Sequence, residues 1–189
     1  MIRIAIFASG SGTNAEKIIQ YFEKSDTVIV SKVYSNKKGA GVFARCEGLN
    51  VPCVWFSRED FFEGISLLQD VQNHADFVIL AGFLWKVPLN FIEAFPNKMI
   101  NIHPALLPKY GGKGMYGMHV HHAVKANCET ETGITIHFVN ENYDEGSIIF
   151  QAKTGITSKD SAEDIANKIH ELEYAYFPKI IEETVLKNA

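Results

Sequence analysis

Asn101 and His103 stand two residues apart in Met99-Ile100-Asn101-Ile102-His103-Pro104, an apolar run that stops at a proline. On an extended strand, side chains two apart leave the same face, so an amide and an imidazole lie side by side. Pro104 biases His103 toward an extended conformation and forbids the strand to continue. Such a pair suits a carbonyl carbon under attack by an amine: the amide and a protonated imidazole stabilise the oxyanion, and the ring exchanges a proton. Asp144, in the polar stretch Glu141-Asn142-Tyr143-Asp144-Glu145, is the carboxylate available to favour the charged ring. No Ser or Cys occupies a nucleophile motif, so direct transfer is expected rather than a covalent enzyme intermediate.

Ser9-Gly10-Ser11-Gly12-Thr13-Asn14 follows a short apolar run, Ile2 to Ala8, and precedes a helical pattern with Ile18, Ile19 and Phe22 on one side. Strand, glycine loop and helix start together point free N–H groups and a positive helix end at an anion. Thr13 and Asn14 are candidate helix caps. Extended to Ala15, the same residues match the dinucleotide pattern G-x-G-x-x-A, but the second strand pattern, Thr27 to Tyr34, ends in Ser35-Asn36-Lys37-Lys38 without the acid that holds a ribose. A phosphate monoester fits the loop equally, and an NADP phosphate could still meet the two lysines.

These residues need a frame. Strand patterns at Val51 to Phe56, Asp76 to Leu80 and Met99 to His103 alternate with helical ones at Gly39 to Leu49, Arg58 to His74 and Leu89 to Phe95. Ser57 and Asp60 form a capping-box-like start for the second of these helices. The alternation predicts an α/β fold: a Rossmann-like open twisted sheet, mostly parallel, with helices on both faces. Gly133 to Asn140 and Gly146 to Ala152 read as a hairpin, giving an antiparallel C-terminal part, with Thr135 and His137 on one face. From Ser161 an amphipathic helix runs toward Leu186, with a kink or break expected at Pro178. Ala81-Gly82-Phe83-Leu84-Trp85-Lys86-Val87-Pro88 is an apolar loop that either plugs the core or lines a pocket for a flat ligand. Tyr110 to Met118 holds four glycines and is expected to be a mobile loop.

Length and composition agree with one domain over residues 1–189: 47% of the chain is hydrophobic. The net charge of −4 gives no reason to expect nucleic acid or an anionic membrane as partner. Cys46, Cys53 and Cys128 contain no Cys-x-x-Cys pair and read as reduced thiols. No signal peptide or membrane-length apolar run is present, so a cytoplasmic protein is expected. His119, His121 and His122 lack the i, i+4 pairing and nearby carboxylate of a metal site, and no metal is expected.

Asn101-Ile102-His103-Pro104-Ala105-Leu106-Leu107-Pro108-Lys109-Tyr110 resembles the signature of the folate-dependent formyltransferases. The glycine loop, Leu80-Ala81-Gly82-Phe83, Gly133-Ile134-Thr135-Ile136-His137-Phe138-Val139 and Asp144-Glu145-Gly146 match in order, over nearly the whole chain, and the glycine loop selects the purine branch. The resemblance implies transfer of the formyl group of 10-formyltetrahydrofolate to the amine of 5′-phosphoribosylglycinamide through a tetrahedral intermediate, with small molecules as the only partners and a monomer or homodimer. It implies that His103 is the proton donor, Asp144 the carboxylate that raises its pKa, and Asn101 the oxyanion partner. Gly12, Thr13 and Asn14 would hold the acceptor's phosphate, and His170 and Glu173 its ribose and glycinamide end. The formyl-folate would lie against Arg58, Leu84, Trp85, Lys86, Val87 and the loop Asn140, Glu141, Asn142, Tyr143 and Asp144. Trp85 and Lys86 depart from the family's basic-then-aliphatic pair, and His170 stands where an amide is expected. Branches with an added RNA-binding or regulatory domain are expected to fit less well.

Overall fold

The computed structural model describes residues 1–189. Its elements in chain order are β1 (Ile2–Phe7), α1 (Thr13–Phe22), β2 (Val28–Ser35), α2 (Val42–Gly48), β3 (Cys53–Trp55), α3 (Arg58–Phe62) and α4 (Ser66–His74). There follow β4 (Phe77–Leu80), α5 (Leu89–Ala94), β5 (Met99–His103), α6 (Met118–Ala126), β6 (Glu131–Phe138), β7 (Ile148–Gly155) and α7 (Ala162–Lys187). One seven-stranded sheet has the order β3-β2-β1-β4-β5-β6-β7. The first five pair in parallel, and β6 and β7 join antiparallel.

Strand alternation sorts the core into two layers. Ile4 and Ile6 of β1 point into one cluster with Ile18, Ile19 and Phe22 of α1 and with Ile169, Phe177 and Ile181 of α7. Ala5 and Phe7 point the other way, toward Phe61 of α3, Leu67 and Val71 of α4 and Phe91 of α5. The expected open sheet with helices on both faces is what the chain adopts. Because β1 hands on to one face and β4 to the other, the order reverses between these neighbours, and a crevice opens at their carboxyl ends. No helix is long and apolar enough to cross a membrane.

Three local expectations are corrected. The helix expected over Arg58 to His74 is two helices: the Gly64 N–H turns back onto the Glu59 carbonyl at 2.9 Å, ending α3 early. The Ser57–Asp60 capping box at its start is present. α1 has no side-chain cap, since Gly12 itself is the N-cap at φ 76, and Asn14 bonds elsewhere. A Cβ at Gly12 would lie 2.6 Å from the Val42 side chain, so α2 packs onto the loop where only glycine fits. Finally, α7 continues unbroken through Pro178, which is buried against the core.

Candidate active site

The glycine loop and the apolar loop are stitched together across the crevice. Ser9 N–H donates to the Gly82 carbonyl at 3.1 Å and Leu84 N–H to Ser9 Oγ at 3.0 Å. Arg45 of α2 donates to the Ser11 carbonyl at 2.8 Å and pairs with Glu16, which fixes the loop from behind. In the apolar loop, Phe83 packs edge-on to Phe7 with ring centroids 5.5 Å apart and Val87 is buried. Leu84 and Trp85 are left along the cavity wall, so the segment is both plug and lining.

Asn101 and His103 sit at the end of β5, opposite His137 and Thr135 of β6 in the antiparallel register. Thr135 is fully buried, donates to the Ala105 carbonyl at 2.7 Å and accepts from Leu107 N–H at 3.0 Å. It thereby holds the turn that Pro104 starts. His137 donates from Nδ1 to the Phe138 carbonyl at 2.8 Å, which assigns Nε2 as the acceptor for Asn101 Nδ2 at 3.0 Å. One amide hydrogen is used in this way, and the second stays free on the cavity side.

His103 bonds the Tyr110 carbonyl through Nε2 at 2.7 Å and turns Nδ1 toward Asp144 Oδ2, 3.5 Å away. Asp144 also accepts from Gly112 N–H at 2.9 Å and lies 3.7 Å from His137 Nε2. Its own backbone is left-handed, at φ 57, a conformation that few residues besides Asn, Asp and Gly adopt cheaply.

Electrostatics departs from expectation at His103. Burial pushes the imidazole below its ordinary 6.5, and Asp144 and the Tyr110 carbonyl recover only part of that. The ring is therefore neutral at pH 7 in the free site, with an Nε2–H donor and an Nδ1 lone pair facing the carboxylate. For Asp144, burial raises the carboxyl, but its neighbours His137 and His103 and the Gly112 N–H together outweigh it, and the group stays ionised.

These side chains share one cavity of about 580 Å³. It is lined by Gly12, Thr13 and Asn14, by Leu84, Trp85, Lys86 and Val87, by Asn140, Asn142, Tyr143 and Asp144, and by His170 and Glu173. Glu173 is 6% exposed and accepts from Asn14 Nδ2 at 2.9 Å, and burial pushes its carboxyl up to about 7. Two expected residues lie off the wall. Arg58 is on the exposed start of α3, over the Phe62 ring at 4.6 Å and the Trp85 ring at 5.7 Å. Glu141 points to solvent from the β6–β7 loop. The end of β2 and its two lysines do not line the cavity, and Lys38 lies over Trp55 at 4.1 Å, so the site does not extend where a dinucleotide ribose would lie.

His137 and His121 also line the cavity and were not expected there. The alternation of Thr135 and His137 carried the signal for His137; the strand register was needed to set it opposite Asn101. His119, His121 and His122 do not converge, since His121 is buried against the cavity while His119 lies edge-on to Tyr116.

Gly146 links Asp144 to β7 through a space with no room for a side chain: a Cβ there would lie 1.7 Å from the Phe138 carbonyl. Gly146→Ala is expected to cost about 3 kcal/mol of stability and to displace the carboxylate from His103. Paired melting curves and turnover of the residual folded protein measure the two effects separately.

A family model described as "Formyl transferase" matches residues 2–181. The chain is 36% identical to "Phosphoribosylglycinamide formyltransferase, chloroplastic" of Arabidopsis thaliana, over 95% of the chain and 64% of that relative, so it spans less than two thirds of it. It is 34% identical to the phosphoribosylglycinamide formyltransferase of Haemophilus influenzae, over 96% of the chain and 86% of the relative. The crystal structure of phosphoribosylglycinamide formyltransferase from Bacillus halodurans superposes with a TM-score of 0.87 at 32% identity, covering 99% and 97% of the two chains.

Proposed function

This chain belongs to the formyl transferase family, and on that premise we propose that it transfers a formyl group from 10-formyltetrahydrofolate to the amine of 5′-phosphoribosylglycinamide. The observation that carries the reading is the meeting of Asn101, His103 and Asp144 in a cavity that runs from an anion loop to an apolar one. That cavity fits both substrates by chemistry. Backbone N–H groups at the N-terminus of α1 suit a phosphate, Glu173 suits ribose hydroxyls or an amine, and Leu84, Trp85, Val87 and Tyr143 suit a flat ring.

The bound folate supplies an activated formyl carbonyl. The free hydrogen of the Asn101 amide is the first donor for the oxygen as it gains charge, joined by the His103 Nδ1–H once that nitrogen has taken the amine proton. His137 keeps the amide turned so that nitrogen rather than oxygen faces the reaction. His103 starts neutral, so its Nδ1 takes the amine proton as the bond to carbon forms, and Asp144 stabilises the resulting imidazolium. The same proton then goes to the departing folate nitrogen. No enzyme nucleophile is needed.

The test is formyl transfer from 10-formyltetrahydrofolate to phosphoribosylglycinamide by the purified protein, followed by the appearance of tetrahydrofolate and the formylated nucleotide. Turnover dependent on both substrates is the expected result. Hydrolysis of the folate with the nucleotide ignored would mean a different acceptor, and no folate binding at all would sink the reading.

A further inference from the structure

His121 is a polar group that the mechanism leaves unused. It sits on the first turns of α6, is 3% exposed and lines the cavity. Its Nδ1 is buried with no hydrogen-bond partner, while no protein group bonds Nε2. A buried ring nitrogen left unpaired costs about 1–3 kcal/mol, and a ligand that reaches Nδ1 removes that cost.

The same cavity has a charge deficit. A phosphate monoester carries about −1.5 to −2 charges at pH 7, and Ser9 to Asn14 contain no cation. Arg45 is committed to Ser11 and Glu16, and Lys86 lies over the Tyr143 ring. Lys113 is exposed on the glycine-rich loop. Apart from Lys86 and Lys113, His121 and His170 are the lining groups outside the reacting set around Asn101 that can become positive. The bond between Asn14 and Glu173 ties the glycine loop to α7, and His170 lies one turn before Glu173 on the same helix. α6 packs against α7, which brings the two imidazoles into one neighbourhood.

We propose that His121, backed by His170, is a positioning residue for the acceptor's phosphate, donating to it and gaining a proton when the dianion binds. This rests on the proposed reading of the cavity as a phosphate-acceptor site. Burial holds the free His121 ring at about 4, and a positive charge there is further opposed by His170, His122 and His103. An incoming dianion reverses that balance. The other groups bearing on the exchange are Glu173 on α7, near neutrality in its titration, and Asp144 beyond His103.

Calorimetric titration of ribose 5-phosphate and of phosphoribosylglycinamide, at about pH 7 in buffers of different ionisation enthalpy, reads the proton directly. The wild type is expected to take up about half a proton more per ligand than a variant that cannot be charged, as the His121 ring rises from about 4 toward 7. His121→Gln, which keeps a donor but cannot be charged, is expected to lose that uptake and bind about tenfold more weakly. Contributions from Glu173 and the phosphate itself are common to both proteins. Should His121→Gln not fold, ring resonances of wild-type His121 serve instead, with an upward pKa shift of about three units expected on saturation, the rise that half a proton at pH 7 requires. Uptake unchanged in the variant, or no shift in the ring, overturns the proposal. Uptake of ribose 5-phosphate with no formyl transfer would keep it and reject the acceptor, whereas formyl transfer without His121-dependent uptake would do the reverse.

Discussion

Asp144→Asn is expected to lower formyl transfer about a thousandfold, within the range of a lost acid–base partner, while leaving the fold intact. The fold survives because asparagine tolerates the left-handed backbone at φ 57 and still accepts from Gly112 N–H. What is lost is the negative charge 3.5 Å from His103 Nδ1. That charge is the main influence holding the buried ring's pKa up against desolvation, so its removal lowers the ring's pKa further. The sign then fixes the pH dependence. A base that must be neutral loses activity as pH falls through its pKa, so the acid limb of kcat/KM lies below 6.5 in the wild type and moves to still lower pH in the variant. His103→Ala is expected to lose at least as much rate and to abolish that limb. If Asp144→Asn kept more than a tenth of the wild-type rate, or moved the limb upward, the carboxylate would not be acting through His103.

The pairing of Asn101 with His103 was legible in the sequence because it depends only on strand alternation and on Pro104. The same holds for the sheet and for the two helical layers, which follow from local periodicity. Less legible was everything that depends on register or long-range packing. His137 could be assigned to a face but not to Asn101, because which β6 residue lies opposite is decided by pairing with β5. Glu173 looks like an ordinary helix charge until α7 packs on α1 and Asn14 reaches it across 159 residues. Asp144 does raise the His103 pKa, as its acid type suggests, but the ring still ends below 6.5, because the depth of burial that outweighs the acid belongs to the fold. Arg58 and Glu141 fell off the cavity wall because their segments were placed correctly but their side chains turn outward.

Glu173→Gln is expected to make the protein more stable and a poorer enzyme, and the two effects have different pH dependences. The carboxyl lies at about 7 in the folded chain against an ordinary 4.5, because burial disfavours its charge and Asn14 compensates only in part. A raised folded pKa means that the native state holds a proton the unfolded chain releases. The associated stability is full below 4.5 and is lost as pH rises through 7. The loss is about 3 kcal/mol by pH 8, and glutamine, which never ionises, escapes it while still accepting from Asn14. The variant and wild type are therefore expected to melt together near pH 4 and to differ by about 6–12 °C at pH 8, glutamine higher. Binding runs the other way. A buried carboxylate offers two charge-assisted acceptors to ribose hydroxyls or an amine, and losing them is expected to raise KM for the nucleotide about a hundredfold with a smaller change in kcat. Since the ligand selects the ionised form, wild-type nucleotide affinity tends to fall on acidification below 7 through this group, a dependence the variant lacks. Stability retained in the site as an ionisable acid is thus given up for recognition. A variant that gained no thermal stability at pH 8, or that kept wild-type KM, would show that Glu173 serves the fold rather than the ligand.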